Sequence, residues 1–263
     1  MDSKYIVIDA GNTNIEIGLY NSRTLLSSWR FSTDTTRTED EYFAVLNSLA
    51  ESQNISLSSV KVCAIASVVP ELTRVFNHLF SKYFTARIVN VSARSNLGLK
   101  FPMTGPDFIG ADLIVNAYAS INKYHTNTIV CDFGTATTIQ LTGADGFFHG
   151  TVIAPGIIIS SSHLFQKASL LTKIQLETPQ KILGENTKDA LLSGIVKGHC
   201  LMCDAFIREI KKEHSDLKDL KVIATGGIAH LLSNNMKEID VFDKTLTIDG
   251  LFSIAKKSED LSD

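Results

Sequence analysis

Two short polar stretches, DAGNTN at residues 9–14 and DFGTATT at residues 132–138, each follow an apolar run and begin with an aspartate two positions before a glycine. Backbone N–H groups that grip a phosphate must approach it closely, which glycine and other small residues allow. The carboxylates of Asp9 and Asp132 are suited to hold a hydrated Mg²⁺ or another cation that bridges phosphate oxygens. Opposed to each other, the two loops would clamp a triphosphate. Neutral donors would come from the side chains of Asn12, Thr13, Thr135, Thr137 and Thr138.

Both stretches also suit ordinary hairpin turns, because glycine, asparagine, aspartate and threonine are common turn formers. Asp9 and Gly11 recur, however, as Asp132 and Gly134, each 123 positions later. Turn chemistry alone does not require an aspartate before the turn in both copies, so the repetition favours a ligand-binding role. Neither stretch matches GxxxxGK[ST], which excludes a P-loop at these positions.

Three further segments carry residues suited to binding or catalysis. ATGGIAH at 224–230 has a glycine pair, Gly226 and Gly227, where missing side chains would admit a flat base and its ribose, although a tight strand-to-helix turn would read the same. GTVIAPG at 150–156 resembles a bend beside the same cleft. GADLIVNAYAS at 110–120 predicts a helix with Asp112 in its first turn and Asn116 one turn later on the same face. An acid in that place also commonly serves the helix dipole.

Composition limits the class of ligand. The 263 residues are 44% hydrophobic, which is enough for a sizeable core. Lys and Arg total 25 against 28 Asp and Glu, so the protein has no excess of positive charge that would attract nucleic acid or an anionic membrane. The composition therefore favours a small-molecule substrate. The four cysteines are too few for a disulfide framework, and the CxxC of Cys200 and Cys203 lacks a second ligand pair. With neither a signal peptide nor an apolar run of about 18 residues evident, we expect a cytoplasmic protein.

The elements that must position these residues repeat along the chain. KYIVIDAGNTNIEIGLY predicts a hairpin that turns at Gly11, SSWRFSTD a third strand, and RTEDEYFAVLNSLAESQ a helix with Thr38 as its N-cap. VKVCAIASVV, ELTRVFNHLFSKYF and ARIVNVS continue as strand, helix and strand. The order restarts near residue 129, and TKDALLSGIVKGHCLMCDAFIREIKKEH predicts two helices with a break near Gly198. We therefore expect two similar α/β domains, 1–115 and 116–263, that face each other across a cleft.

Taken in order, the motifs resemble those of type III pantothenate kinases, a bacterial group within the acetate and sugar kinase, chaperone and actin superfamily. The matching segments run along most of the chain and are DAGNTNIEIG, RTEDEY, SVVP, DFGTATT, APG, GENTKDALLSGI and ATGGIA. The resemblance implies two ribonuclease-H-like halves of actin-like ATPase architecture with a nucleotide cleft between them. It also implies ATP-dependent phosphorylation of pantothenate to 4'-phosphopantothenate, the first step of coenzyme A biosynthesis.

The same resemblance implies roles for individual residues. Asp112 matches the general base, Asp9 the Mg²⁺ ligand, and Asp132 the ligand of a monovalent cation, K⁺ or NH₄⁺. Thr187 matches a substrate contact from the second subunit of a homodimer. The ATP contacts would be Asp9, Gly11, Asn12, Thr13, Gly134, Thr135, Thr137, Gly226 and Gly227, and the substrate contacts Phe101, Gly110, Asp112 and Thr187.

Four departures from the family pattern cluster on the acceptor side. Leu113 stands where GxDRxxN has an arginine expected to hold the carboxylate of pantothenate. Thr151 replaces the second glycine of GGxIxPG, Phe101 stands where tyrosine is common, and FPMTGPDFIG is about two residues longer than usual. Losing a charge-assisted hydrogen bond would weaken binding by roughly 10- to 150-fold. Either Lys100, Arg94 or another cation takes over, or the chain is a paralogue that binds ATP as a regulatory protein or phosphorylates another small alcohol.

Overall fold

The computed structural model describes residues 3–102, 106–167 and 174–260. Contacts divide the chain into two compact units. The first comprises the described residues within 1–98, 103–119 and 246–263, and the second those within 99–102 and 120–245. Helix α3, Ala111–Tyr124, begins in the first unit and ends in the second.

The first unit is a five-stranded mixed sheet in the order β3-β2-β1-β4-β5. Strands β1, β2 and β3 are antiparallel neighbours, whereas β1, β4 and β5 run parallel. Alternating apolar residues of the central strands form one core with the two helices that follow. The elements are β1 Lys4–Ala10, β2 Asn14–Tyr20, β3 Leu25–Ser32, α1 Glu39–Ser52, β4 Val60–Ser67, α2 Pro70–Tyr83 and β5 Arg87–Asn90.

Local sequence signals account for the helix starts in this unit. Thr38 caps α1 as predicted, since its hydroxyl accepts from the N–H of Glu41 while the Glu41 carboxylate accepts from the N–H of Thr38. Pro70 opens α2, where a missing N–H costs no helical hydrogen bond.

The C-terminal helix α8, Leu246–Asp260, packs on β1 and β4 of the first unit. Tyr20 donates to Asp249 over 2.6 Å and stacks on Phe252 with ring centroids 4.3 Å apart. The division predicted from sequence places these residues in the domain 116–263, whereas their contacts place them in the first unit. An amphipathic pattern shows that a helix has an apolar face but not which sheet that face covers, so the assignment required the structure.

The second unit repeats the arrangement of the first. Its sheet has the order β10-β9-β6-β7-β8, with β6, β7 and β8 antiparallel and with β9 parallel to both β6 and β10. The predicted fold class of two similar α/β halves is confirmed. The elements are β6 Thr128–Phe133, β7 Ala136–Thr142, β8 Phe148–Pro155, α4 Ile157–Lys167, α5 Thr187–Leu192, α6 Gly198–Glu213, β9 Lys221–Thr225, α7 Ala229–Ser233 and β10 Val241–Phe242.

A π-helical turn, Ser193–Lys197, separates α5 from α6, so the predicted break near Gly198 is a change of helix type and not a gap, and the helical stretch is continuous from Thr187 to Glu213. Its 27 residues include an 18-residue window of mean hydropathy 1.4, which by length and composition alone would suffice to cross a membrane. The expectation from sequence that no stretch reaches this length is therefore wrong. One face of the helix nevertheless belongs to the core of the second unit, with Leu192, Val196, Cys200, Cys203 and Ile207 buried.

Candidate active site

The first polar loop lies at the end of β1. The N–H of Gly11 donates to the carbonyl of Asn14 over 3.0 Å, which closes the turn and leaves Asn12 and Thr13 exposed at its tip. A Cβ atom on Gly11 would lie 3.2 Å from that same carbonyl oxygen, so the turn has little room for a side chain. The loop thus presents small polar groups to solvent beside the half-buried Asp9.

Asp9 has a second carboxylate beside it. Asp9 and Glu16 are register partners across the β1–β2 hairpin, and both lie on the sheet face opposite the core that holds Ile8 and Ile17. Side chains paired in this way have Cβ atoms about 4.5–5.5 Å apart. Glu16 is not among the predicted site residues, because its place beside Asp9 depends on the register of the hairpin.

Thr33, just beyond β3, braces this loop. Its hydroxyl donates to the carbonyl of Gly11 over 2.6 Å, and its N–H donates to the carbonyl of Thr13 over 3.0 Å. Both ends of the loop are thereby tied to the third strand. The sequence indicated the strand but not this role, because the contact depends on the β2–β3 register.

Asp112 lies at the same edge of the first sheet. Val68, just after β4, donates its N–H to the carbonyl of Ala10 over 3.1 Å. A Cβ atom on Gly110 would lie 3.3 Å from Cγ1 of Val68 and 2.3 Å from Oδ1 of Asp112. Val68 and Gly110 therefore connect the end of β1 to the carboxylate at the start of α3.

Burial raises the pKa of Asp112, and the N–H of Leu113, which donates to Oδ1 over 2.9 Å, partly opposes that rise. Leu113 is itself only 6% exposed. Asn116 is fully buried and accepts a hydrogen bond of 2.8 Å from Thr247 of α8. Asn116, which the sequence places on the same helix face as Asp112, thus anchors a contact between α3 and α8.

The DFGT, APG and TGG segments, which lie far apart in the sequence, meet at the second polar loop. The N–H of Gly156 donates to the carbonyl of Thr135 over 3.1 Å, and a Cβ atom there would lie 2.3 Å from that oxygen. Gly226 has φ +96°, and its Cβ would lie 2.5 Å from Oδ1 of Asp132. The APG and TGG segments are therefore packed against DFGT, with Gly134 and Gly227 exposed.

Thr137 and Thr138, the second and third residues of β7, point to opposite faces of the sheet. Thr137, on the core face, is 1% exposed and hydrogen-bonds Nε2 of His199 over 2.9 Å. Thr138 is the register partner of Asp132 and shares its face. The Oγ1 of Thr138 is buried and has no hydrogen-bond partner within the part of the chain that the structure describes. The carboxylate of Asp132 thus lies beside the hydroxyl of Thr138, which can still form a hydrogen bond or bind a cation.

The other predicted site residues lie elsewhere in the second unit. The ring of Phe101 lies 5.8 Å from that of Phe148, and Thr187, the first residue of α5, is exposed. Lys100 forms an exposed ion pair of 3.5 Å with Asp145. Residues 103–105 of FPMTGPDFIG fall outside the described ranges.

The cysteines are free and buried in the two cores. Within the described ranges, no group of three His, Cys, Asp or Glu side chains could hold a metal ion. Burial raises the pKa of Cys200 to about 11 and that of Cys203 to about 12, which leaves both as thiols at neutral pH. Both side chains pack among the apolar residues of the second core, where a small, polarizable side chain fits well.

Comparison with known proteins adds the family context. A family model described as type III pantothenate kinase matches residues 5–209. The type III pantothenate kinase of an Exiguobacterium strain is 39% identical over 254 residues, which cover 97% of this chain and 99% of that protein. The type III pantothenate kinase of Geobacter sulfurreducens is 39% identical over 246 residues, which cover 94% and 96%.

Solved structures show the same fold at low identity. A conserved putative Baf family transcriptional activator from Campylobacter jejuni has a TM-score of 0.56 at 20% identity and covers 97% of this chain and 99% of its own. A putative 2-dehydro-3-deoxygalactonokinase from Sinorhizobium meliloti also has a TM-score of 0.56, at 12% identity, with 96% of each chain covered. At these identities the likeness supports the fold alone, that of two α/β halves.

Proposed function

The chain belongs to the type III pantothenate kinase family, and from that membership we propose that it transfers the γ-phosphoryl group of ATP to the primary hydroxyl of pantothenate. The product, 4'-phosphopantothenate, is the first intermediate on the route to coenzyme A. The observation that carries this proposal is the match of nearly the whole chain to relatives with that name. The two polar loops, each at the end of a central strand, are consistent with it.

ATP would bring Mg²⁺ with it, and the first unit offers suitable donors. Asp9 and Glu16 are oxygen ligands on one face of the hairpin, next to a loop of small polar residues. Mg²⁺ prefers one or two carboxylates and keeps several waters. The fit is therefore good, and the ion would neutralise charge on the phosphate oxygens.

Phosphate contacts are proposed for both loops. In the first unit these are Asn12 and Thr13, together with the backbone at Gly11. In the second unit they are Gly134 and Thr135. Thr137, which the sequence also suggested, is 1% exposed on the core face and would support these two residues from behind instead of contacting phosphate. Gly226 and Gly227 are proposed to flank the nucleoside. Gly227 is exposed, whereas the space beside Gly226 is filled by Asp132 and the backbone of Phe133, so Gly226 would contribute through its backbone. Phosphoryl transfer depends on such positioning more than on covalent chemistry by the protein.

Asp112 is proposed as the general base that accepts the proton of the attacking hydroxyl. Its carboxylate lies at the edge of the sheet that carries Asp9, and burial raises its pKa. A carboxylate with a raised pKa holds an accepted proton more firmly, which suits proton transfer late in the reaction. Gly110 would admit the substrate, and Phe101 and Thr187 are proposed as further substrate contacts.

Leu113 favours a second candidate function. It is only 6% exposed at the position where the family pattern has arginine, so the carboxylate of pantothenate loses that partner. Arg94, or Lys100 released from Asp145, would have to replace it. Otherwise the protein phosphorylates another small alcohol or binds ATP as a regulatory protein.

A homodimer is proposed, with Thr187 reaching the partner's substrate. The second unit exposes large apolar side chains on α4 and α6, which in water favours association. They are Ile158, Ile159, Leu164, Leu201 and Phe206.

A monovalent cation, K⁺ or NH₄⁺, is proposed at Asp132. The unpartnered Oγ1 of Thr138 beside that carboxylate supports an oxygen-lined cation site. A cytoplasmic location is proposed because the four cysteines are unpaired and the charge is nearly balanced.

The direct test is to incubate the purified protein with ATP, Mg²⁺, a K⁺ or NH₄⁺ salt and pantothenate, and to measure phosphopantothenate by mass spectrometry. We expect phosphopantothenate to form, and omission of ATP, Mg²⁺, the K⁺ or NH₄⁺ salt or pantothenate should each reduce or abolish it. Binding of ATP without turnover of pantothenate, across a panel of small alcohols, would instead support the regulatory alternative.

A further inference from the structure

His199, the second residue of α6, contacts both strands at the base of the second polar loop. Its Nε2 lies 2.9 Å from Oγ1 of Thr137, and its ring centroid lies 6.3 Å from that of Phe133 with the planes at 62°. Phe133 and Thr137 are the last register partners of the β6–β7 hairpin. The imidazole therefore bridges the residue pair between which the loop of Gly134 and Thr135 runs.

The contact is partly buried and uncharged. Thr137 is 1% exposed, and burial lowers the pKa of His199, so the imidazole is neutral near pH 7. A neutral imidazole has one donor and one acceptor nitrogen, and a hydroxyl can serve either of them. The hydrogen bond thus fixes the Thr137 side chain without placing a positive charge behind the loop.

The π-helical turn just before α6 determines where this histidine points. The turn Ser193–Lys197 inserts one extra residue into the helix, so the residues of α6 lie on different faces from those that a regular α-helix would give them. With Val196 and Cys200 facing the core, His199 lies at the edge of the buried stripe. It also lines a cavity of about 350 Å³ together with residues of α4, among them Ile157 and Ser160.

The backbone of the loop is held from other sides. Gly156 donates to the carbonyl of Thr135, and the N–H of Gly134 donates to the carbonyl of Ala136 over 3.0 Å. Neither contact holds the side chain of Thr137, the second residue of β7. His199 supplies that restraint.

We propose that His199 is a positioning residue for ATP binding. Through its hydrogen bond to Thr137, it holds the loop of Gly134 and Thr135 in the conformation that binds the phosphates. The inference rests on the proposed function of this loop in phosphate binding. It assigns His199 no contact with substrate and no role in proton transfer. Its loss should therefore weaken ATP binding while leaving the affinity for the acceptor unchanged.

The test compares three variants of the full chain. His199→Leu removes the hydrogen bond, and His199→Gln keeps an amide group where Nε2 lies. Met202→Leu alters the same cavity one helical turn away without touching Thr137, so it controls for repacking. The KM for ATP, the KM for pantothenate, kcat and the melting temperature are measured for each, and calorimetry gives the Kd of a non-hydrolysable ATP analogue.

We expect His199→Leu to raise the KM for ATP and the Kd of the analogue roughly tenfold, with the KM for pantothenate within twofold of the wild type. His199→Gln should recover most of the loss, and Met202→Leu should change neither constant. The proposal is overturned if His199→Leu binds the analogue as tightly as the wild type, or if Met202→Leu weakens it equally.

A variant that fails to fold does not leave the proposal untested. Thr137→Val removes the same hydrogen bond from the other side, and its combination with His199→Phe, which keeps a ring but has no nitrogen to bond the hydroxyl, completes a double-mutant cycle. Non-additive losses in analogue affinity support the coupling, whereas additive losses contradict it. If the wild type makes no phosphopantothenate, the proposed function fails, while the analogue measurements still decide the role of His199.

Discussion

Gly226 packs so closely against Asp132 that a Cβ atom would lie 2.5 Å from the Oδ1 of that carboxylate and 2.7 Å from the backbone nitrogen of Phe133. With φ at +96°, the position also lies in a region of backbone conformation that favours glycine. The residue is therefore constrained by both backbone and space, and it ties the end of β9 to the second polar loop.

Gly226→Ala should consequently lower the free energy of unfolding by roughly 2–4 kcal/mol, because backbone strain and overlap with Asp132 add. Urea unfolding followed by circular dichroism measures the change. Gly194→Ala is the matched control, since a Cβ atom there has nothing within 4 Å. Equal stabilities of the two variants would show that the loop relaxes without cost.

Asp112→Asn should lower kcat about 10²- to 10⁴-fold, because the amide cannot accept the proton of the alcohol. The Kd for ATP should stay within a factor of about three, which separates the catalytic role from nucleotide binding. Turnover by the variant close to that of the wild type would remove Asp112 from the role of general base.

The raised pKa of Asp112 also predicts a pH dependence of stability. Because burial raises the folded pKa above the unfolded one, the contribution of this carboxyl to stability is fully present below the unfolded pKa and is lost as the pH rises through the folded pKa. Asp112→Asn should therefore gain stability over the wild type as the pH rises from 4 to 7. Melting temperatures across that range measure it, and a constant difference between the two proteins would contradict the linkage.

Thr33→Val should raise the KM for ATP roughly three- to tenfold, since the carbonyl of Gly11 loses the hydroxyl that donates over 2.6 Å. Thr33→Ser keeps the hydroxyl and should stay near the wild type. Steady-state kinetics at saturating pantothenate distinguish the two. Identical KM values for the valine and serine variants would show that the backbone contact from Thr33 to Thr13 suffices.

The features that sequence predicted well are those with local causes. The turn residues after Asp9 and Asp132, and the alternation that follows them, predicted both hairpins without tertiary information. Glu16, Thr33 and Thr138 acquire their meaning only through strand register. His199 could not be found in advance, because its contact with Thr137 spans 62 positions and depends on a π-helical turn for which the sequence carries no recognised signal.

The exposed apolar side chains of the second unit lead to the last prediction. Leu201 on α6 is 55% exposed, and a charge there would oppose burial against a second copy of the chain. Leu201→Glu should shift the protein toward the monomer in size-exclusion chromatography with light scattering. If Thr187 contacts the substrate of the partner subunit, the same variant should also raise the KM for pantothenate.

Leu26→Glu is the control, because it places the same charge at a leucine of the first unit that is 40% exposed. It should leave both the molecular mass in solution and the KM for pantothenate unchanged. A dimer that survives Leu201→Glu but dissociates with Leu26→Glu would move the interface to the first unit and separate Thr187 from the substrate.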